Sequence, residues 1–153
     1  MTNNEIIKSI RHMLSFNDKN IVEIFKLADH EIIQQDIQNF MRAETDPLFV
    51  ACPDPLMAKF LDGLIYLKRG RDPGKPPMPY EFPITNNTIL KKLRVAFELK
   101  EEDLIKTFER ANFRIGKSEL TAFSRKKDHP NFRNCGDQVI RYLLKGLTIK
   151  LKA

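Results

Sequence analysis

Thr85-Asn86-Asn87-Thr88-Ile89-Leu90-Lys91-Lys92-Leu93-Arg94 restates Thr2-Asn3-Asn4-Glu5-Ile6-Ile7-Lys8-Ser9-Ile10-Arg11, each residue displaced by 83 positions. The register holds without a gap over 69 positions, residues 2–70 against 85–153, and 18 of these are identical. Unrelated chains of this composition would share about four or five, so the chain is an internal duplication. Further along, Phe25-x-x-Ala28 returns as Phe108-x-x-Ala111, and Phe49-x-x-Cys52-x-Asp54 as Phe132-x-x-Cys135-x-Asp137. Leu61-x-Gly63-Leu64 returns as Leu144-x-Gly146-Leu147.

Apolar residues recur at helical spacing in both copies. Ile6, Ile10, Met13 and Leu14 line a first helix over residues 4–14, matched by Ile89, Leu93, Ala96 and Phe97. Thr2-x-x-Glu5 has the form of a capping box, with Asn3 as the competing cap. Ile21, Ile24, Phe25 and Ala28 line a second helix, which Asn17 or Asp18 caps. A third runs over residues 35–43 with Ile37, Phe40 and Met41 inward; its counterpart starts at Ser118 and buries Leu120 and Phe123. Asp54-Pro55 opens a fourth, with Asp at the cap and Pro in the first turn. Met57, Phe60, Leu61, Leu64 and Leu67 face inward there, as do Ile140, Leu143, Leu144 and Leu147. Residues 148–152 are the one stretch with a strand alternative. The expected fold is all-α: two tandem four-helix repeats, residues 2–70 and 85–153.

A repeat of about 70 residues is near the lower limit for an adequate core of its own. The two copies are therefore expected to share an interface, as a pseudo-two-fold dimer within one chain. Between them, residues 71–84 hold five of the nine prolines, which predicts an extended, stiff connector. Tyr80 and Phe82 are the side chains there that can pin it to a surface.

With 42% apolar and 30% charged residues, the chain reads as soluble and globular. No apolar run is long enough to span a membrane. Met1-Thr2-Asn3-Asn4-Glu5 lacks the basic start and apolar core of a secretory signal, so the expected location is the cytoplasm. Cys52 and Cys135 are repeat equivalents, read as small buried hydrophobes kept reduced; a disulfide across the two-fold is the other arrangement.

Catalytic and metal chemistry would need clustered His, Cys or carboxylate groups. His12, His30 and His129 have Val95, Phe113 and Asp46 as repeat equivalents, and none has a second ligand at metal spacing. Cys135 with His129 can be drawn as nucleophile and base, yet Cys52 keeps its position without any histidine. The pattern predicts no enzyme and no cofactor. Asp54 and Asp137 read as helix caps. Gly63 and Gly146 sit inside apolar helices, where glycine costs about 1 kcal/mol against alanine, and so mark a close approach. The expected contact lies between the two fourth helices.

Charge separates the copies. Residues 2–70 carry eight basic against ten acidic side chains, whereas residues 85–153 carry sixteen against eight. Lys8/Lys91, Arg11/Arg94 and Arg42/Arg125 are basic in both copies, as helix-end partners or intra-repeat salt bridges, or as phosphate contacts. The second copy adds a basic helix-turn-helix-like segment over residues 101–127, with Lys106, Arg110, Arg114, Lys117, Arg125, Lys126 and Lys127 around it. That rim suits a phosphate backbone and points to DNA or RNA; a solvated basic face is the bland reading. A protein-interaction or adaptor domain is the alternative, and a small-molecule pocket between the repeats a third.

Residues 128–147, the Leu93-Arg94-Val95-Ala96-Phe97 stretch and Gly63-Leu64-Ile65-Tyr66-Leu67-Lys68-Arg69-Gly70 resemble the YehS family of small bacterial proteins. The resemblance spans essentially the whole chain. It implies a duplicated all-helical domain in a bacterial cytoplasm, and it brings no substrate, cofactor or functional residue with it.

Overall fold

The computed structural model describes residues 1–153 as eight helices without a strand. These are α1 (Asn3–Met13), α2 (Asp18–Leu27), α3 (Gln34–Met41) and α4 (Asp54–Arg69), then α5 (Asn86–Ala96), α6 (Glu101–Arg110), α7 (Lys117–Ser124) and α8 (Asp137–Lys152). Contacts divide the chain into Met1–Ile84 and Thr85–Ala153. Residues 148–152 are the last turns of α8, so the strand alternative fails. Leu147 is buried, and the helical stripe continues through Thr148, whose hydroxyl donates to the Leu144 carbonyl at 2.8 Å.

Local chemistry sets the helix starts. Thr2 caps α1 by accepting the Glu5 amide at 3.1 Å, which leaves Asn3 for another task. Asn17 and Asn20 cap α2 reciprocally at 2.9 Å. Three residues expected at helix caps lie inside their helices. Ser118 lies inside α7, whose cap is Gly116, and Asp54 and Asp137 are the first residues of α4 and α8 after Pro53 and Gly136. Neither aspartate caps its own helix.

The first two helices of each unit end alike. Ser15, Asp29, Glu98 and Asn112 adopt φ of 54°, 60°, 53° and 56°. The next amide then reaches back to the last turn: Phe16 to Arg11 O, His30 to Phe25 O, Leu99 to Arg94 O and Phe113 to Phe108 O. This is the Schellman closure, made here by non-glycine residues.

In the first unit the core is built from Ile6, Ile10, Ile21, Phe25, Ile37, Phe60 and Leu61, and in the second from their equivalents Ile89, Leu93, Leu104, Phe108, Leu120, Leu143 and Leu144; Leu67, expected inward, is exposed because the buried stripe of α4 ends at Leu64. The principal pairs are α2 with α4 and α6 with α8. Gly63 and Gly146 make those pairs close. A β-carbon on Gly63 would overlap the Ile24 carbonyl oxygen, and one on Gly146 the Thr107 carbonyl oxygen. The expected contact between the two fourth helices is therefore wrong: each glycine admits the second helix of its own repeat. Each glycine does mark a close approach, to a partner in its own repeat.

Residues 71–84 fold back on the first unit. Arg71 pairs with Asp29 at 2.8 Å and lies over the Tyr66 ring, and the Tyr80 hydroxyl donates to Asp62 at 2.7 Å. Phe82 stacks on Tyr80 but stays exposed.

Candidate nucleic-acid interface

The repeated asparagines position the loops that carry the charge. Asn4, on the first turn of α1, is buried and bonds across to the loop before α4. Its amide donates to Phe40 O at 3.0 Å and Val50 O at 2.9 Å, and its oxygen accepts the Cys52 amide at 2.9 Å. Asn87 does the same to Phe123 O, Arg133 O and the Cys135 amide, at 3.0, 2.9 and 2.9 Å. Next to them, Asn3 donates to Cys52 O and to Asp54, and Asn86 to Cys135 O and to Asp137. This clasp explains why Thr-Asn-Asn and Cys-x-Asp recur together. A pair of asparagines at a helix start reads as capping, so nothing in the linear pattern aims them at a loop 46 or 48 residues away.

The clasped backbone is the same twice. The amides of Asp46 and His129 donate to Ala43 O and Lys126 O, and those of Phe49 and Phe132 to Asp46 O and His129 O. What differs is the surface. Residues 42–53 hold one basic and two acidic side chains; residues 125–136 hold four basic and one acidic. Arg42 is held by two acceptors, Asn39 Oδ1 at 3.0 Å and Asp46 Oδ2 at 3.4 Å. At Arg125 both are replaced, by Ala122 and His129, and Arg125 Nη1 stands 3.0 Å from His129 Nε2.

The seven basic candidates do not form one cluster. Lys106 and Arg110 lie one turn apart on α6, Arg114 is in the turn and Lys117 opens α7. Arg125, Lys126 and Lys127 follow the far end of α7, whose eight residues span about 12 Å. All are exposed except Arg125, which is half-buried. Beside the first group lies an open hollow of about 350 Å³, lined by Ile105, Glu109, Asn112, Phe113, Arg114 and Ile115. Phe113 is fixed by stacking on Tyr142 at 4.7 Å.

The other shared cations serve the fold in the first copy. Lys8 donates to Arg42 O at the end of α3, and Arg11 pairs with Asp18 at 3.2 Å. His30 packs on Phe25, where its equivalent Phe113 packs on Phe108. Cys52 and Cys135 are free and buried. Burial, then the nearby Asp54 or Asp137 carboxylate, pushes each thiol up to about 12, the reverse of an activated nucleophile. No three His, Cys, Asp or Glu side chains are grouped to hold a metal, and no helix is long and apolar enough to cross a membrane.

Comparison with known proteins agrees with the doubled architecture. Residues 3–70 and 86–152 each match the family described as "Protein of unknown function (DUF1456)", and the chain belongs to that family. It is 42% identical over 150 residues to the "Uncharacterized protein YehS" of Escherichia coli (strain K12), covering 98% of this chain and 96% of that relative. No solved structure matches.

Proposed function

We propose that this family member is a non-catalytic binding module of the cytoplasm, whose second repeat contacts the phosphate backbone of DNA or RNA. The observation that carries this reading is the contrast between two loops on one scaffold. Both keep the asparagine clasp and the turn hydrogen bonds, yet the second exchanges a net acidic surface for Arg125, Lys126, Lys127 and Arg133. Four such cations with one acid attract any polyanion, and the stiff clasp limits the entropy lost on binding. Lys106, Arg110, Arg114 and Lys117 extend the basic surface at the opposite end of α7.

A second reading draws on the same contrast. Ile33, Leu48 and Val50 of the first unit are exposed apolar residues, where the second unit has Gly116, Asn131 and Arg133. Such a surface suits a protein partner, which makes the first repeat an adaptor.

Titration of labelled duplex and single-stranded nucleic acid at two salt concentrations tests the first reading. With about four phosphates neutralised, a fourfold rise in salt weakens binding roughly a hundredfold. Lys126→Glu with Lys127→Glu removes binding, whereas Ala43→Glu at the equivalent first-repeat position leaves it intact. No binding at low salt retires this reading, and a stoichiometric protein partner lost in Leu48→Asp supports the second.

A further inference from the structure

We infer that the hollow beside Phe113 takes one unpaired base of a single-stranded nucleic acid, so that the second repeat prefers single strands to duplex. The inference rests on the phosphate-backbone reading and adds the base to it. The turn between α6 and α7 builds the wall of this hollow. Asn112, at φ 56°, reverses the chain, and the Phe113 amide donates back to Phe108 O at 2.9 Å. That closure lays the Phe113 ring on Tyr142 of α8, with centroids 4.7 Å apart and planes 13° from parallel, and against Phe108 at 5.6 Å. Lys145, nearly one turn beyond Tyr142, holds its Nζ 5.9 Å from the tyrosine ring centroid. Phe113 is thus fixed by two neighbours, yet it is only half-buried and borders the hollow. An aromatic side chain already held in place loses little freedom when a base packs on it.

The lining decides which part of a nucleotide enters. Ile105, Phe113 and Ile115 are apolar, which suits the faces of a base. Glu109 is an exposed carboxylate, which repels a phosphate but accepts hydrogen bonds from the N–H groups of a base. Asn112 offers both a donor and an acceptor, and the planar guanidinium of Arg114 can stack. At about 350 Å³ the hollow is near the lower end for ligand sites, with room for one planar base. The phosphates are left to Lys106, Arg110 and Lys117, which are exposed outside it. In the first repeat this chemistry is replaced. His30 and Lys59 stand where the second repeat has Phe113 and Tyr142, Lys59 donates to Ala28 O, and Glu31 takes the place of Arg114. A duplex keeps its bases paired and stacked, and must break a pair before one can enter.

The test titrates the full chain at low salt with three labelled probes of about 12 nucleotides: an oligothymidine strand, an abasic strand with the same phosphates, and a duplex. The wild type binds oligothymidine about tenfold more tightly than the abasic strand, and more tightly than the duplex. Phe113→Leu keeps the apolar bulk without the aromatic face. It removes the preference for bases and leaves abasic binding unchanged, which also shows that the variant is folded. Should that variant not fold, Arg114→Lys gives the same readout from an exposed position: it keeps the charge without the plane, and cuts the preference about threefold. Equal affinity of the wild type for oligothymidine and abasic strands, or tighter binding of duplex than of strand, overturns the inference and leaves the phosphate-backbone reading standing. A preference for bases that survives in folded Phe113→Leu and in Arg114→Lys overturns the site. Displacement of the strand by an equal concentration of thymidine monophosphate assigns the hollow to a free nucleotide and overturns the single-strand assignment. If none of the three probes binds, the phosphate-backbone reading falls as well.

Discussion

The carbonyl oxygen of Thr107 occupies the space beside Gly146 that a β-carbon would take, and Ile24 does the same to Gly63. In each unit the second and fourth helices meet backbone to backbone. Thr107 is wholly buried there, its hydroxyl turned back to Asp103 O at 2.7 Å. Helix propensity alone predicts that Gly146→Ala stabilises by about 1 kcal/mol. The overlap with backbone, which cannot rotate away, outweighs it. Gly146→Ala and Gly63→Ala are each expected to lose about 2–3 kcal/mol in urea unfolding. A gain in either would mean that the helices do not approach so closely.

Stability falls at alkaline pH, and the sign follows from the thiols. Cys52 and Cys135 are raised in the fold from 9.0 to about 12, so above pH 9 the unfolded chain loses protons that the folded one keeps. Their contribution is complete below pH 9 and declines as pH rises toward 12. Tyr80 acts in the same direction, raised by burial and by its bond to Asp62, with its contribution declining above pH 10. Urea midpoints measured between pH 8 and 10.5 are expected to drop, and Cys52→Ala with Cys135→Ala to flatten the drop. At pH 8 the native thiols should resist alkylation and react only on unfolding.

Tyr80→Phe separates the connector from the first unit without touching either core. The lost bond to Asp62 is worth about 1 kcal/mol. Because it tethers residues 71–84 locally, the effect on the global midpoint is small. Subtilisin cleavage within residues 72–79 should rise severalfold, with the urea midpoint nearly unchanged. Unaltered cleavage would mean that Arg71 with Asp29 and Ile84 with Asp54 suffice to hold it.

Much of the fold was legible because helices write their inward faces at a fixed period: Ile6 with Ile10, and Leu143 with Leu147, needed no tertiary knowledge. The glycines announced a close approach, since nothing else keeps glycine in an apolar helix twice. Their partners stayed hidden because periodicity says which face is inward and not which neighbour it meets. Nearness in sequence groups the basic candidates, whereas α7 separates Lys117 from Arg125 by its own length. The different fates of Arg42 and Arg125 turn on Asn39 and Asp46, whose equivalents Ala122 and His129 carry meaning only once the two loops are compared atom by atom.

Asn4 offers the sharpest separation of shape from chemistry. It is 4% exposed, and its three bonds satisfy two carbonyls and one amide, of which the bonds to Phe40 O and from the Cys52 amide are buried. Asn4→Asp keeps the shape and the acceptor for Cys52, but removes both donors and sets a carboxylate against the oxygens of Phe40 and Val50. A cost of about 3–4 kcal/mol is expected, exceeding that of Asn4→Ala, which leaves the same groups unpaired without adding charge. Asn87 makes the same bonds but is only half-buried, so water can replace part of what Asn87→Asp loses, and the cost there should be about half as large. Hydrogen exchange reads the clasp directly, because the Cys52 amide has Asn4 as its acceptor. In Asn4→Ala its exchange should rise toward that of an open loop while amides inside α4 stay protected. Retained protection at Cys52 would show that the loop holds its shape without the clasp.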